Sequence, residues 1–135
     1  MNVKQVIVMR KDLNMRKGKM VAQGAHASMK VFFDKMYNPD FDSIGGFDVG
    51  IRTMKLTAEE LEWVNGKFTK ICVSVNSEQE LVDIYEDAKR AGLNVALIED
   101  SGLTEFHGIT TKTCLALGPN NSEEIDKITS KLPLL

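Results

Sequence analysis

The chain opens on an apolar run, Val3 to Met9 (VKQVIVM), rich in β-branched residues and closed by the charged turn Arg10-Lys11-Asp12. Such a run bounded by turn residues predicts a strand. From Gly18 to about Met36 the spacing becomes helical. At about 100° per residue, Val21, Ala25, Ser28, Met29 and Phe32 share one face, while Lys19, Gln23, His26 and Lys30 share the opposite one. The small residues Ala22, Gly24, Ala25 and Ala27 would let the axis of this helix come close to a sheet.

Residues 38–56 hold a proline, three glycines and no sustained period, and read as a long loop. Thr57 and Glu60 then form a capping box at the start of TAEELEWVNG, with Gly66 placed to end that helix in the left-handed conformation. FTKICVSV (Phe68 to Val75) alternates as a strand. Ser77 and Glu80 form a second capping box opening an amphipathic helix that reaches about Ala91 and stops at Gly92. NVALI is a third strand, KTCLALG a fourth, and NNSEEIDKITSKL a short helix with acids in its first turn, where the helix dipole favours them. Strands joined through helices run parallel, whereas the fourth follows a loop and is expected antiparallel. The expected fold is therefore α/β: a single domain over 1–135, with a four-stranded mixed β-sheet, helices on both faces and a loop insertion at about 38–56.

A length of 135 residues suits one domain with a real core. Cys72 and Cys114 each sit in an apolar strand-like run, which predicts reduced core thiols and a cytoplasmic setting rather than a disulfide or metal pair. No signal-peptide pattern and no apolar run of about 20 residues is visible. Charge changes the picture more. Residues 1–35 carry eight basic and two acidic side chains, against nine basic and seventeen acidic in the remainder. That asymmetry suits either an anionic partner met by the N-terminal region or simply a solvated basic edge.

Most motifs of catalysis are missing: there is no G-x-S-x-G elbow, no H-E-x-x-H, no paired C-x-x-C and no G-x-x-x-x-G-K-[ST]. Two polar constellations remain. Lys19, Gln23 and His26 lie at i, i+4 and i+7 on one helical face, which could equally be the solvated side of an amphipathic helix. EDSGLTEFHG sets Asp100 and Thr104 just beyond the third strand, where α/β sheets place functional loops, although an Asp before Ser-Gly also holds simple turns.

Together these segments resemble the archaeal and eukaryotic (type II) peptidyl-tRNA hydrolase family. Its opening pattern D-L-x-M-x-x-G-K-x-A-A-Q-x-x-H-A falls on Asp12, Leu13, Met15, Gly18, Lys19, Ala22, Gln23, His26 and Ala27, with Val21 replacing the first alanine. The D-x-G-x-T segment falls on Asp100, Gly102 and Thr104, and TCLALGPNNSEEIDKIT resembles the closing strand and helix. The resemblance implies hydrolysis of the ester between a peptide, or N-blocked amino acid, and tRNA, with no cofactor and no metal. It implies catalytic roles for Lys19, Gln23, His26, Asp100, Thr104 and Thr113, with Asp100 binding or activating water and Lys19 near the oxyanion or the terminal phosphates. It implies tRNA phosphate contacts by Arg10, Lys11, Arg16, Lys17 and Lys30, and a homodimer. Glu105 stands where the family usually has glutamine, an acid that could repel phosphate, act as a further base or favour unblocked aminoacyl-tRNA. A non-catalytic tRNA-binding module and a protein-interaction domain are the other readings.

Overall fold

The computed structural model describes residues 1–44 and 47–135, with side chains other than those of residues 37–49. Ten elements follow one another: β1 (Val3–Arg10), α1 (Lys17–Phe33), β2 (Tyr37–Ile44), β3 (Phe47–Thr53), α2 (Ala58–Asn65), β4 (Lys70–Val75), α3 (Glu78–Arg90), β5 (Val95–Asp100), β6 (Thr111–Asn121) and α4 (Ser122–Thr129). The main sheet has the order β4-β1-β6-β5. β1 runs parallel to β4, while β6 is antiparallel to both β1 and β5, so the first three strands of the expected sheet are mutually parallel and the fourth opposes them.

The two central strands are apolar on both faces, as a strand covered on both sides must be. Val6, Val8, Leu115 and Leu117 point to one face and meet Leu81 and Ala88 of α3 and Ile125 of α4. Ile7, Met9, Cys114 and Ala116 point to the other and meet Ala27 and Val31 of α1. Trp63 of α2 closes the end of that second face, its ring 5.7 Å from Phe32 and 4.2 Å from Phe68. At the outer edge of β4 the tail continues the sheet: the Ser74 N–H donates to the Pro133 carbonyl and the Leu135 N–H to that of Cys72.

Five expectations are corrected. Residues 38–56 are not a structureless loop, because β2 and β3 pair as an antiparallel hairpin; its glycines 45 and 46 lie outside the described residues. Helix α1 is rotated from the orientation its apolar stripe suggests: Val21 and Met29 are exposed, and the buried positions are Gln23, Gly24, Ala27 and Val31. Cys72 is exposed on the half-covered edge strand, and only Cys114 is a core thiol, though both are free. Gly66 ends α2 at a negative φ of −101° rather than in the left-handed region; a Cβ there would lie 2.6 Å from the Glu62 carbonyl oxygen. The Thr57–Glu60 capping box forms in full, whereas Glu80 reaches past Ser77 to the Asn76 N–H, leaving half of the second box.

Candidate active site

The site grows from the C-terminal ends of the parallel strands. Helix α1 follows β1 through a six-residue connection and lies across β5 and β6, which brings Lys19 and Gln23 over the end of β5. On β5, Ile98 and the following Asp100 alternate onto the α1 face. Residues 101–110 then form a loop closed by the Gly108 N–H donating to the Gly102 carbonyl at 2.8 Å.

Asp100 is the hub. Its Oδ1 accepts from Lys19 Nζ at 2.8 Å and from Gln23 Nε2 at 3.2 Å, and its Oδ2 accepts from the Gly102 N–H at 2.8 Å. Lys19 Nζ also donates to Thr104 Oγ1 at 2.8 Å and stands 5.5 Å from the centre of the Phe106 ring. Both charged side chains are 13% exposed, so the pair is shielded but open to solvent on one side. The Lys19 ammonium, foremost through its hydrogen bond, holds the Asp100 carboxyl below the usual carboxylate range; burial opposes this, and the Gly102 and Gln23 donors add to it.

Gly102 has a positive φ of +83°, and a Cβ there would sit 2.4 Å from the Ile109 carbonyl oxygen, so only glycine lets the chain fold tightly enough to turn its N–H onto the carboxylate.

Gln23 is held from behind. The fully buried Thr113 hydroxyl donates to its Oε1, which turns the amide N–H toward Asp100. Thr113 reaches that face because β6 carries an extra residue there: Ile98 pairs with Cys114 but Glu99 with Lys112, so Thr113 and Cys114 both turn toward α1. Cys114 in turn donates to the Gln23 carbonyl at 3.3 Å, and burial pushes its thiol up to about 12. The orientation of α1 is thus settled by its polar residue, since a buried amide needs partners and finds them only in this rotation.

Lys19, Gln23, Asp100, Thr104 and Thr113 therefore form one continuous network across three elements and a loop. His26, a turn below Gln23, is exposed and joins none of these bonds. Among the candidate phosphate contacts, Arg10 is tied to Asp12 at 2.7 Å and to the Lys112 carbonyl at 3.0 Å, which makes it a staple between β1 and β6. Lys30 pairs with Asp34, one turn further along, at 2.8 Å. Lys11, Arg16 and Lys17 are exposed beside the site, and Glu105 faces Arg16 at 3.8 Å. Two contributors escaped the sequence pattern: the Gly102 N–H, signalled only by an Asp-x-Gly turn, and Phe106 beside the ammonium.

Among the described residues no group of three or more His, Cys, Asp or Glu side chains is arranged to hold a metal ion. The polar atoms can instead position a water molecule and stabilise an anion beside it.

Comparison with known proteins agrees in direction. A family profile described as Peptidyl-tRNA hydrolase PTH2 matches residues 3–135. A peptidyl-tRNA hydrolase of Methanocaldococcus jannaschii is 42% identical over 134 residues, covering 98% of this chain and all of that protein. One of Methanopyrus kandleri is 39% identical, covering 98% and 97%. A probable peptidyl-tRNA hydrolase 2 of Drosophila melanogaster is 37% identical over 99% of this chain and 62% of its own length. The solved structure of a protein of unknown function from Agrobacterium shares the fold with a TM-score of 0.55 at 11% identity, covering 100% and 98%.

Proposed function

We propose a division of labour within the site from one premise: the chain belongs to the peptidyl-tRNA hydrolase PTH2 family and is a hydrolase of the ester between peptide and tRNA. Hydrolysis of that ester needs a water held for attack, a place for the oxyanion and a grip on a polyanionic leaving group.

Counting donors and acceptors assigns the parts. A lysine ammonium has three protons, and two are engaged by Asp100 and Thr104. The third is free for the oxyanion that develops on the ester carbonyl, where a fixed donor in a shielded site is most effective. The Thr104 oxygen accepts from Lys19, so its own proton is free to hold the attacking water. Asp100 keeps acceptor capacity on Oδ2 and receives a proton of that water in a hydrogen bond. Its carboxyl is held ionised, which makes it a constant acceptor but a weak base. The water oxygen bonds to the carbonyl carbon, the carbon–ribose oxygen bond breaks, and the water proton ends on the ribose hydroxyl of the freed tRNA. Gln23 fixes the carboxylate, and Thr113, buried out of reach of substrate, is a positioning residue acting through Gln23. Lys11, Arg16 and Lys17 hold tRNA phosphates, with Arg10 bracing the loop that carries them. His26 and Lys30 line the substrate path further down α1.

The observation that carries this reading is the Lys19–Asp100 pair, built from groups 81 positions apart. Its test is release of N-acetyl amino acid from N-acetyl-aminoacyl-tRNA. Lys19→Ala and Asp100→Ala are each expected to lower kcat/KM by about 100-fold or more; full activity in both would reject the site.

We further place the protein in the cytoplasm as a homodimer. Among the described residues no helix is long and apolar enough to cross a membrane. An apolar groove of about 700 Å³ between α1 and β4, edged by exposed Val21, Phe68 and Leu135, supports a contact between copies. Sedimentation equilibrium of the parent and of Val21→Asp tests it, with loss of the dimer expected in the variant.

A further inference from the structure

A second groove, of about 490 Å³, begins where the catalytic cluster ends. Its floor is Met29 and Phe33 of α1 and Ile98 of β5; its rim is His26, Lys30 and Glu99. It is continuous with the site along both walls, since Ile98 and Glu99 lead directly into Asp100 and His26 follows Gln23 by one turn.

One wall is an open sheet edge. β5 is the outermost strand, and among the described residues no strand pairs with its far side, in contrast to β4, whose edge is occupied by Pro133–Leu135. The Asn94 carbonyl accepts from the Gly118 N–H, and the β5–β6 register carries this alternation to Ala96 and Ile98. The main-chain N–H and C=O of Val95 and Leu97 therefore point away from β6, toward the open edge. From Val95 to Asp100 that edge spans about 17 Å, roughly five residues of extended chain.

We propose that the peptide half of the substrate binds here as an added strand, parallel to β5, with its C-terminal ester carbonyl delivered to Lys19 and Asp100. This rests on the hydrolase reading above and assigns the substrate's polarity across the site: tRNA on the exposed cations at the start of α1, peptide in the groove descending between α1 and β5. The direction follows from the strand. β5 runs toward the site, and a peptide reacting at its C-terminus must run the same way. The rim charges are internally paired, Lys30 with Asp34 at 2.8 Å and Glu99 with Lys112 at 3.4 Å, which leaves a groove suited to an uncharged peptide backbone rather than to a phosphate chain. Main-chain pairing would select little among peptide sequences, because a strand edge reads N–H and C=O groups while side chains alternate between groove and solvent.

The test does not depend on hydrolysis. The ¹⁵N-labelled protein is titrated with N-acetyl tetrapeptide amides, and separately with the trinucleotide CCA, each to millimolar concentration. The peptide is expected to shift the amides of Val95, Leu97, His26 and Phe33, and N-methylation of the peptide is expected to weaken binding about tenfold at alternate residues only, as loss of single main-chain hydrogen bonds in a strand requires. The CCA trinucleotide is expected to leave those amides unmoved. No shift in β5 with peptide, equal sensitivity at every N-methylated position, or movement of β5 by CCA alone would overturn the proposal. In parallel, kcat/KM is compared for blocked aminoacyl-tRNA and blocked tetrapeptidyl-tRNA, where the parent is expected to favour the longer substrate about tenfold and Phe33→Ala to reduce that ratio. A protein that binds peptide along β5 but cleaves neither substrate would retain the docking site and reject the hydrolase reading; one that cleaves both equally, with no β5 shifts, would do the reverse.

Discussion

At Asp100 the protonation state is set by neighbours rather than by solvent. Because the Lys19 ammonium lowers the carboxyl's folded-state pKa, ionised Asp100 contributes stability at pH values above the ordinary carboxylate range, and that contribution is lost as pH falls through the lowered value. Replacing Lys19 with Met removes the largest cause and leaves the opposing effect of burial. The acid-unfolding midpoint followed by circular dichroism is then expected to move to higher pH, and an unchanged midpoint would mean the pair does not form in solution. The two cysteines provide a second contrast. Cys114 is buried with its thiol pushed up to about 12, while Cys72 is exposed. A thiol reagent at pH 8 is expected to modify Cys72 in the folded chain, more slowly at concentrations where a dimer covers the α1–β4 groove that Cys72 lines, and Cys114 only after denaturation. Rapid modification of both would contradict the burial of β6.

At the scale of elements, the feature that matters most is the bulge of β6. It turns Thr113 toward α1, where its hydroxyl fixes the Gln23 amide. Thr113→Val keeps the shape and removes the donor, leaving a buried acceptor without a partner at a cost of about 1–3 kcal/mol. The expected signature is a kcat lowered about tenfold with little change in KM, and recovery in Thr113→Ser; a change confined to KM would place Thr113 in substrate binding instead. The same element shows why α1 was only half legible. Its period, length and polar stripe are plain in the sequence, but hydrophobicity assigns Val21 and Met29 to the interior and the fold leaves them outside. A polar residue with three fixed partners outweighed an apolar stripe, and those partners lie some 80 to 90 positions away. The segment at 38–56 failed for a different reason: β2 and β3 pair with each other outside the main sheet, and their proline and glycines read as loop punctuation.

For the molecule as a whole, the net charge is −2, yet the exposed Lys11, Arg16 and Lys17 stand together around the first turn of α1. Three phosphate contacts by Lys11, Arg16 and Lys17 predict that tRNA affinity falls about 20- to 40-fold between 50 and 200 mM salt. Arg10→Ala is expected to change that slope little, because Asp12 already neutralises it. Binding measured by filter retention across a salt series checks both. A flat dependence would remove tRNA from this face.

The four strands of the main sheet, their parallel and antiparallel senses, most helix boundaries and the residue types of the site could be read from the sequence, because each depends on local periodicity, capping or chain connectivity; the strand order within the sheet could not. The sequence motifs also carried the family. What waited for the tertiary structure was every relation between distant segments: that Lys19 and Asp100 touch, that His26 stands apart from them, that Arg10 ties β1 to β6, and that β4 has a covered edge whereas, among the described residues, no strand pairs with the far side of β5. Local patterns specify what a segment prefers. Only packing decides which neighbour satisfies a buried polar group, since that choice is made among all the surfaces the folded chain brings within reach.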